Sequence, residues 1–271
     1  MSRKFAVIGQ PVAHSLSPRI HAEFAQQLGL DQHYERLEVS PETLAEQLSE
    51  LHAQGYAGLN ATLPHKAALL AHCQSLSPSA EQAGAVNTLI RTEQGWAGAN
   101  TDGEGLLRDL QENLQWPIAG QKVLILGAGG ATRGILAPLL AAQPADLVVS
   151  SRNPWKPEAL AEQFSGLRPS THYALKGDSF DLLINATSVG HQQSGFLRLP
   201  PGLLAHGAQA YDLNYGPAHQ AFAQWVQGQG GTALSDGLGM LVEQAASACA
   251  LWNDGRRPDS ASVLKALRNQ G

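Results

Sequence analysis

Short apolar runs alternate along this chain with stretches whose apolar residues recur every three or four positions. Read as strands, the runs cover residues 5–8, 34–39, 58–63, 123–126, 147–150, 182–184 and 210–213. Several are almost continuously apolar, as parallel strands covered on both faces are. The three-to-four spacing predicts helices over 18–28, 41–54, 65–73, 103–114, 131–142, 156–164, 219–229 and 237–252. Ser17-Pro18 and Ser40-Pro41 read as helix starts, a capping hydroxyl followed by proline at the first helical position. The alternation predicts βαβ units and an α/β fold. Residues 116–120, Trp-Pro-Ile-Ala-Gly, read as a connector ahead of a shorter, self-contained βαβ series. Periodicity alone does not say whether the helix over 237–252 packs with that series or with the first one.

Composition narrows the class without naming a chemistry. At 271 residues two domains are expected, and 43% apolar with 15% charged residues is ordinary for a globular protein. A net charge of −5 without a basic block argues against nucleic acid as a partner. The only cysteines, Cys73 and Cys249, lie far apart, which fits a reducing cytoplasm and offers no metal framework. The ten histidines show no metal-binding spacing, so no metal is expected. Gly9 and Pro11 interrupt the first apolar run, leaving it too short for a signal-peptide core or a membrane span.

The chemistry begins at Gly127-Ala128-Gly129-Gly130-Ala131, between the strand over 122–126 and a helix. Glycines there allow a tight turn and close backbone approach, and the helix N-terminus can hold a pyrophosphate. Thr132 stands where the strict motif has its third glycine, with Gly134 two residues later. The bland alternative is a glycine turn with no ligand. Dinucleotide folds that bind NAD usually carry an acid at the end of the second strand to hold the ribose hydroxyls. Here that strand runs into Ser151-Arg152-Asn153, with Lys156 beyond, and Asp146 lies at the wrong end. Arg152 and Lys156 suit a 2′-phosphate, which favours NADP over NAD; a merely solvated loop is the alternative.

Two polar motifs lie upstream. Lys66 closes Asn60-Ala61-Thr62-Leu63-Pro64-His65-Lys66, at the carboxyl end of a predicted strand. A lysine there can polarise a ketone and move a proton. Asp102, in Asn100-Thr101-Asp102-Gly103, can hold both the lysine and a substrate hydroxyl. Each alone reads as a surface lysine or a turn acid; the argument rests on the ensemble. Ser15 and Ser17 put two hydroxyls beside a helix start, able to bind a carboxylate, or Ser17 simply caps that helix. Asn87 and Asn185 are amides next to apolar runs, and Gln244 is polar within an apolar helix.

Together these motifs resemble the shikimate dehydrogenase family over nearly the whole chain. The matching segments also include Gly84-Ala85-Val86-Asn87-Thr88, Asn185-Ala186-Thr187-Ser188, Tyr211-Asp212 with Tyr215, and Asp236-Gly237-Leu238-Gly239-Met240-Leu241. The resemblance implies reversible NADPH-dependent reduction of 3-dehydroshikimate to shikimate, on the route to aromatic amino acids. It implies two α/β domains with the active site in the cleft between them. Residues 1–102 with 237–271 would form a discontinuous substrate domain, and 103–236 a Rossmann-type NADP domain. Lys66 and Asp102 would be catalytic. Ser15, Ser17, Asn60, Thr62, Asn87, Tyr215 and Gln244 would meet the substrate. Gly127, Ala128, Gly129, Gly130 and Ala131 would take the pyrophosphate, and Ser151, Arg152, Asn153 and Lys156 the 2′-phosphate. Thr187 would also meet the cofactor, with Leu213 and Gly237 on its nicotinamide side. A cytoplasmic monomer or homodimer is expected, with no nucleic acid or membrane partner. Ala61 stands where the family usually has valine, Ser151-Arg152-Asn153 where it has Asn-Arg-Thr, and Lys156 where a second arginine is common. The acid often found after the Lys66 helix is absent, the chain reading Ser77-Pro78-Ser79, and residues 191–199 look individual to this protein. Three rivals remain. A quinate/shikimate dehydrogenase with relaxed cofactor use is disfavoured by Ser17 and by the missing acid near Arg152. A nucleotide-binding regulator with a degenerate site is disfavoured by the intact Lys66 and Asp102. A folate-type or other amino-acid-dehydrogenase-like enzyme would share the nucleotide domain only and leave the first 102 residues unexplained.

Overall fold

A computed structural model describes residues 2–189 and 196–269. The chain divides into two compact units, Met1–Leu106 with Leu241–Gly271, and Leu107–Met240. The first contains β1 (Arg3–Gly9), α1 (Ser17–Leu28), β2 (Gln32–Glu38), α2 (Leu44–Ala53) and β3 (Tyr56–Ala61). It continues with β4 (Ser75–Leu76), α3 (Pro78–Ala83), β5 (Thr88–Arg91), β6 (Trp96–Ala99) and the start of α4 (Asp102–Arg108). Its sheet has the order β2-β1-β3-β5-β6-β4. The β1–β2, β1–β3 and β4–β6 pairs are parallel, whereas β3–β5 and β5–β6 are antiparallel.

The second unit contains β7 (Lys122–Leu126), α5 (Gly130–Ala141), β8 (Asp146–Ser151), α6 (Trp155–Gln163), β9 (Leu167–Thr171) and β10 (Phe180–Asn185). Then come β11 (Leu204–Asp212), α7 (Gln220–Gly228) and β12 (Ala233–Ser235). Its sheet, β12-β11-β10-β7-β8-β9, is parallel throughout. Helix α8 (Leu238–Trp252) returns the chain to the first unit from Leu241, and α9 (Ser260–Arg268) ends it. Ala248 and Trp252 of α8 pack with Phe5, Val7, Val12 and Tyr34. A Cβ on Gly58 would sit 2.2 Å from the Trp252 indole nitrogen, so only glycine admits the ring there. That nitrogen donates to the Leu89 carbonyl at 3.0 Å, and Arg3 donates to the Trp252 carbonyl at 2.8 Å. The second unit packs Leu124, Leu126, Phe180, Leu183, Phe222 and Val226 into its own core.

Several predicted elements change form. The expected helix over 65–73 is a 3₁₀ segment, Ala68–His72. The Lys66 carbonyl, which an α-helix would offer to Leu70, accepts instead from Val86 N at 2.7 Å, while Leu70 N turns to the Ala67 carbonyl. The helix expected over 103–114 starts one residue early and is a π-helix from Asp109 to Asn113, its Leu114 N–H bonding the Asp109 carbonyl five residues back. Neither predicted serine cap forms. Ser17 lies inside α1 behind Leu16, with its own N–H accepted by Ser15 Oγ at 3.2 Å. Ser40 precedes a 3₁₀ turn, Pro41–Thr43, and its hydroxyl bonds Thr43 Oγ1. The strand over 58–63 ends at Ala61, before Thr62. The pattern misses β4, β5, β6, β9, β12, α3 and α9, mostly short or polar segments held by their neighbours rather than by their own periodicity. Part of the distinctive 191–199 segment lies outside the described residues; Phe196, Leu197 and Leu199 pack on the second core.

Candidate active site

The antiparallel pairings of β5 assemble the first half of the site. Asn60 pairs with Thr88 across β3–β5, and Thr88 with Ala99 across β5–β6. That register sets Asn87 against the chain entering α4. Asn87 N donates to the Ala99 carbonyl at 3.1 Å and Thr101 N donates to Asn87 Oδ1 at 2.9 Å. Asp102 opens α4, its N–H accepted by Asn100 Oδ1 at 3.0 Å. Lys66, on the turn after β3, reaches across: its Nζ lies 2.6 Å from Asp102 Oδ2. The pair is largely enclosed, with 17% of the lysine side chain and 6% of the aspartate exposed. The other carboxylate oxygen, Oδ1, accepts from Asn87 Nδ2 at 2.8 Å. One aspartate thus orients a lysine with one oxygen while an amide holds the second.

Asn87, Asn60 and Gln244 join this pair in one hydrogen-bonded network. Asn87 Nδ2 also points at Thr101 Oγ1 (3.0 Å) and Gln244 Oε1 (3.3 Å), and Gln244 Nε2 donates to the Leu241 carbonyl at 2.9 Å. Asn60 Nδ2 donates to the Asn87 carbonyl and to Thr88 Oγ1. Ser15 Oγ and Ser17 Oγ lie 3.1 Å apart, a ready pair of hydroxyls. Thr62 follows β3, its N–H bonded to the Ile8 carbonyl at 3.0 Å.

Tyr34 is a member of this network that the sequence did not point to. Its hydroxyl donates to Asn60 Oδ1 at 2.8 Å and so fixes which way that amide faces. Burial raises the Tyr34 phenol well above its ordinary pKa, so it stays a donor. Its ring stacks on His21 at 4.2 Å. Arg257 is another: it donates to Glu243 Oε2 at 2.6 Å and to Ser247 Oγ at 2.7 Å, bracing the helix that carries Gln244.

In the second unit the carboxyl ends of β7, β8, β10 and β11 lie side by side. Gly127 turns the chain out of β7 with φ of +104°, donating to the Ser150 carbonyl at 2.8 Å. Its absent Cβ would meet the Ala186 carbonyl oxygen at 2.9 Å, whereas Cβ atoms on Gly129 and Gly130 would meet open space. Gly129 is the N-cap of the twelve-residue α5, no side chain caps that end, and its first turn holds no acid. First-turn N–H groups left without a side-chain acceptor favour an anion, so these residues fit a dinucleotide pyrophosphate. Thr132, at the unexpected motif position, donates to the Gly127 carbonyl at 2.9 Å and locks the turn. At the end of β8, Ser151 Oγ donates to the Asn153 carbonyl at 2.6 Å and Asn153 Oδ1 accepts from Trp155 N, a preformed loop with Arg152 and Lys156 exposed. Asp146 begins β8, at its other end, and pairs with Arg168 at 2.8 Å.

Asn185 and Asp212 end β10 and β11 and are buried against each other, Asn185 Nδ2 donating to Asp212 Oδ1 at 2.8 Å. Asn185 Oδ1 accepts from Thr187 Oγ1 at 2.7 Å, and Asn214 ties Asp212 to the Thr187 carbonyl. A Cβ on Gly237 would lie 2.3 Å from the Leu213 carbonyl oxygen, so this crossing admits only glycine. Tyr215 follows on the same loop. Among the described residues no group of three His, Cys, Asp or Glu side chains is placed to hold a metal, and no helix is long and apolar enough to cross a membrane.

A parallel sheet whose glycine turn leads into an anion-ready helix, and a lysine–carboxylate pair held in a polar network, define an α/β oxidoreductase of the dinucleotide-dependent class. The family model for the shikimate dehydrogenase substrate binding domain matches residues 7–89, and that for the shikimate 5'-dehydrogenase C-terminal domain matches 237–268. A shikimate dehydrogenase (NADP(+)) from Aromatoleum aromaticum is 45% identical over 98% of this chain and 97% of its own length. One from Cellvibrio japonicus is 45% identical over 100% of this chain and 98% of its own. The crystal structure of shikimate 5-dehydrogenase from Thermus thermophilus, in complex with NADP(H) and shikimate, superposes with a TM-score of 0.88 at 38% identity, covering 98% of this chain and 99% of that one. The chain belongs to the shikimate dehydrogenase family.

Proposed function

We propose that this protein catalyses the reversible NADPH-dependent reduction of 3-dehydroshikimate to shikimate, in the formation of aromatic amino acids. The observation that carries this reading is the 2.6 Å contact of Lys66 Nζ with Asp102 Oδ2, backed by Asn87 on Oδ1. Bound NADPH supplies a hydride to the substrate's carbonyl carbon. As that carbon gains the hydride its oxygen gains negative charge, and Lys66 as an ammonium donates the proton that completes the hydroxyl. In the reverse direction the neutral amine takes the proton back. Asp102 keeps the lysine in one rotamer and offers the same oxygen to the substrate hydroxyl.

The Ser15 and Ser17 hydroxyls are assigned to the substrate carboxylate, supported by their 3.1 Å separation at the start of α1. Asn60, Thr62, Gln244 and Tyr215 are assigned to its hydroxyls. Asn87 is assigned chiefly to Asp102, because its N–H groups already point at Asp102 and Thr101. Gly127, Ala128, Gly129, Gly130 and Ala131 are assigned to the pyrophosphate, and Ser151, Arg152, Asn153 and Lys156 to the 2′-phosphate. Thr187, Leu213 and Gly237 are assigned to the nicotinamide end. We assign residues 1–102 with 237–271 to the substrate and 103–236 to NADP. We place the protein in the cytoplasm as a monomer or homodimer, in keeping with the free thiols of Cys73 and Cys249.

The test is a grid of initial rates, shikimate or quinate with NADP or NAD. Activity confined largely to shikimate with NADP is expected. Comparable quinate or NAD rates would make it a dual-specificity enzyme, and no activity in any combination would refute the reading.

A further inference from the structure

The loop that follows β8 lies beside the turn that follows β9. The two strands are parallel, with Ser150 opposite Ser170 and Ser151 opposite Thr171, so the next residues out of the sheet are Arg152 and His172. His172 is half-buried at the head of a 3₁₀ turn, Tyr173–Leu175. That turn is held by Ala174 N donating to Thr171 Oγ1 at 3.2 Å and by the buried Leu175. The imidazole is also held: its Nδ1 lies 2.9 Å from the hydroxyl of the fully buried Ser150. Ser150 Oγ can donate to Nδ1, and that tautomer leaves the ring proton on Nε2 as a donor. A surface histidine on a plain connecting turn has no need of such orientation.

We propose that His172 is a specificity residue for NADP: its Nε2–H donates to the 2′-phosphate beside Arg152, and the imidazole takes up a proton as that dianion docks. The proposal rests on the assignment of the 2′-phosphate to Arg152. The electrostatics agree with it. Burial, and then the Arg152 charge, lower the His172 pKa in the free protein. Among the described residues the charge that lowers it is Arg152, on the loop after β8; Ser150, its contact on β8, carries no charge. The ring is therefore neutral near pH 7. A phosphate of nearly two negative charges offsets Arg152 and reverses the local sign, which favours the imidazolium. The proton comes from solvent and goes to Nδ1, and the Ser150 hydroxyl turns from donor to acceptor at that nitrogen. NAD brings no such charge and should leave the ring neutral.

The experiment measures binding of NADP and NAD by titration calorimetry between pH 6.5 and 8.5, in two buffers of different ionisation enthalpy, so that proton uptake is read directly. It compares the parent with His172→Asn and Arg152→Ala. Asparagine can still bond Ser150 but cannot take a proton. For the parent, NADP binding should take up a fraction of a proton near neutral pH, and its affinity should rise as pH falls, with a ceiling of about tenfold per pH unit. His172→Asn should lose that uptake and several-fold of NADP affinity at the acid end, with NAD affinity unchanged. The titration of the phosphate itself is common to both proteins and drops out of the comparison. Equal uptake and equal pH dependence in parent and His172→Asn, with Arg152→Ala still losing the NADP preference, would overturn the role of His172 and leave the Arg152 assignment standing. An unchanged NADP-to-NAD ratio in Arg152→Ala would remove both.

Discussion

His21 should make this protein acid-sensitive, and the size of the effect follows from its surroundings. The ring is fully buried, stacked on Tyr34 at 4.2 Å and set edge-on to Phe24, and neither ring nitrogen has a hydrogen-bond partner. Burial drives its pKa from 6.5 down to about 3, outweighing the nearby Asn60 amide, which acts in the opposite direction. Between those two values the unfolded chain carries a proton at this position and the folded chain does not. Unfolding then takes up a proton, so stability is retained above pH 6.5 and falls with acidification below it. The limiting slope for one proton is about 1.4 kcal/mol per pH unit, so from pH 6.5 to 5 the loss approaches 2 kcal/mol. Carboxylates begin to titrate below that range, so pH 5 to 8 is the useful span. Urea unfolding at half-unit intervals should show the slope in the parent and its loss in His21→Phe, which keeps the aromatic stack. Both proteins should agree within experimental scatter above pH 7 apart from a constant offset. Parallel curves across the whole span would mean that His21 finds a proton or a partner in the folded state, and the reasoning from burial would fail.

Three further outcomes follow from the site. Lys66→Ala should lower kcat by about a hundredfold to ten-thousandfold, the usual range for a proton-transfer group, with KM changed far less; steady-state kinetics with shikimate and NADP decide it, and near-parent turnover would refute the role. Asn87→Ala should lower kcat by about tenfold to a hundredfold, because it leaves the buried Oδ1 of Asp102 without its donor, and should shift the pH profile of kcat/KM; a pure stability loss with normal kinetics would make Asn87 structural. Gly237→Ala should destabilise the apo protein by about 1–3 kcal/mol, since its Cβ would lie 2.3 Å from a backbone carbonyl oxygen; an unchanged melting temperature would show that the crossing relaxes.

What could be read from the chain and what could not separate along a physical line. The glycine turn at 127–130, the missing acid after β8 and the polar motifs around Lys66 and Asp102 were legible because each is a local feature: a backbone needing no Cβ, a strand end without a carboxylate, a cation and a carboxylate in tight turns. Partners chosen by strand order were not legible. Tyr34 reaches Asn60 over the intervening β1, because β2 and β3 flank that strand, and nothing near either residue announces the pairing. Nor did the chain announce that the Asn87 amide, just before β5, bonds Thr101 and Asp102. The 3₁₀ segment after Lys66 makes the same point about form. Its apolar spacing suits an α-helix, yet the Lys66 carbonyl is taken by Val86, the residue just before Asn87. The hydrogen bond that spoils the helix also fixes the backbone of the lysine next to the strand that holds Asp102 in place. Local propensity yields there to a tertiary contact, and it yields at the residue to which we assign the proton transfer.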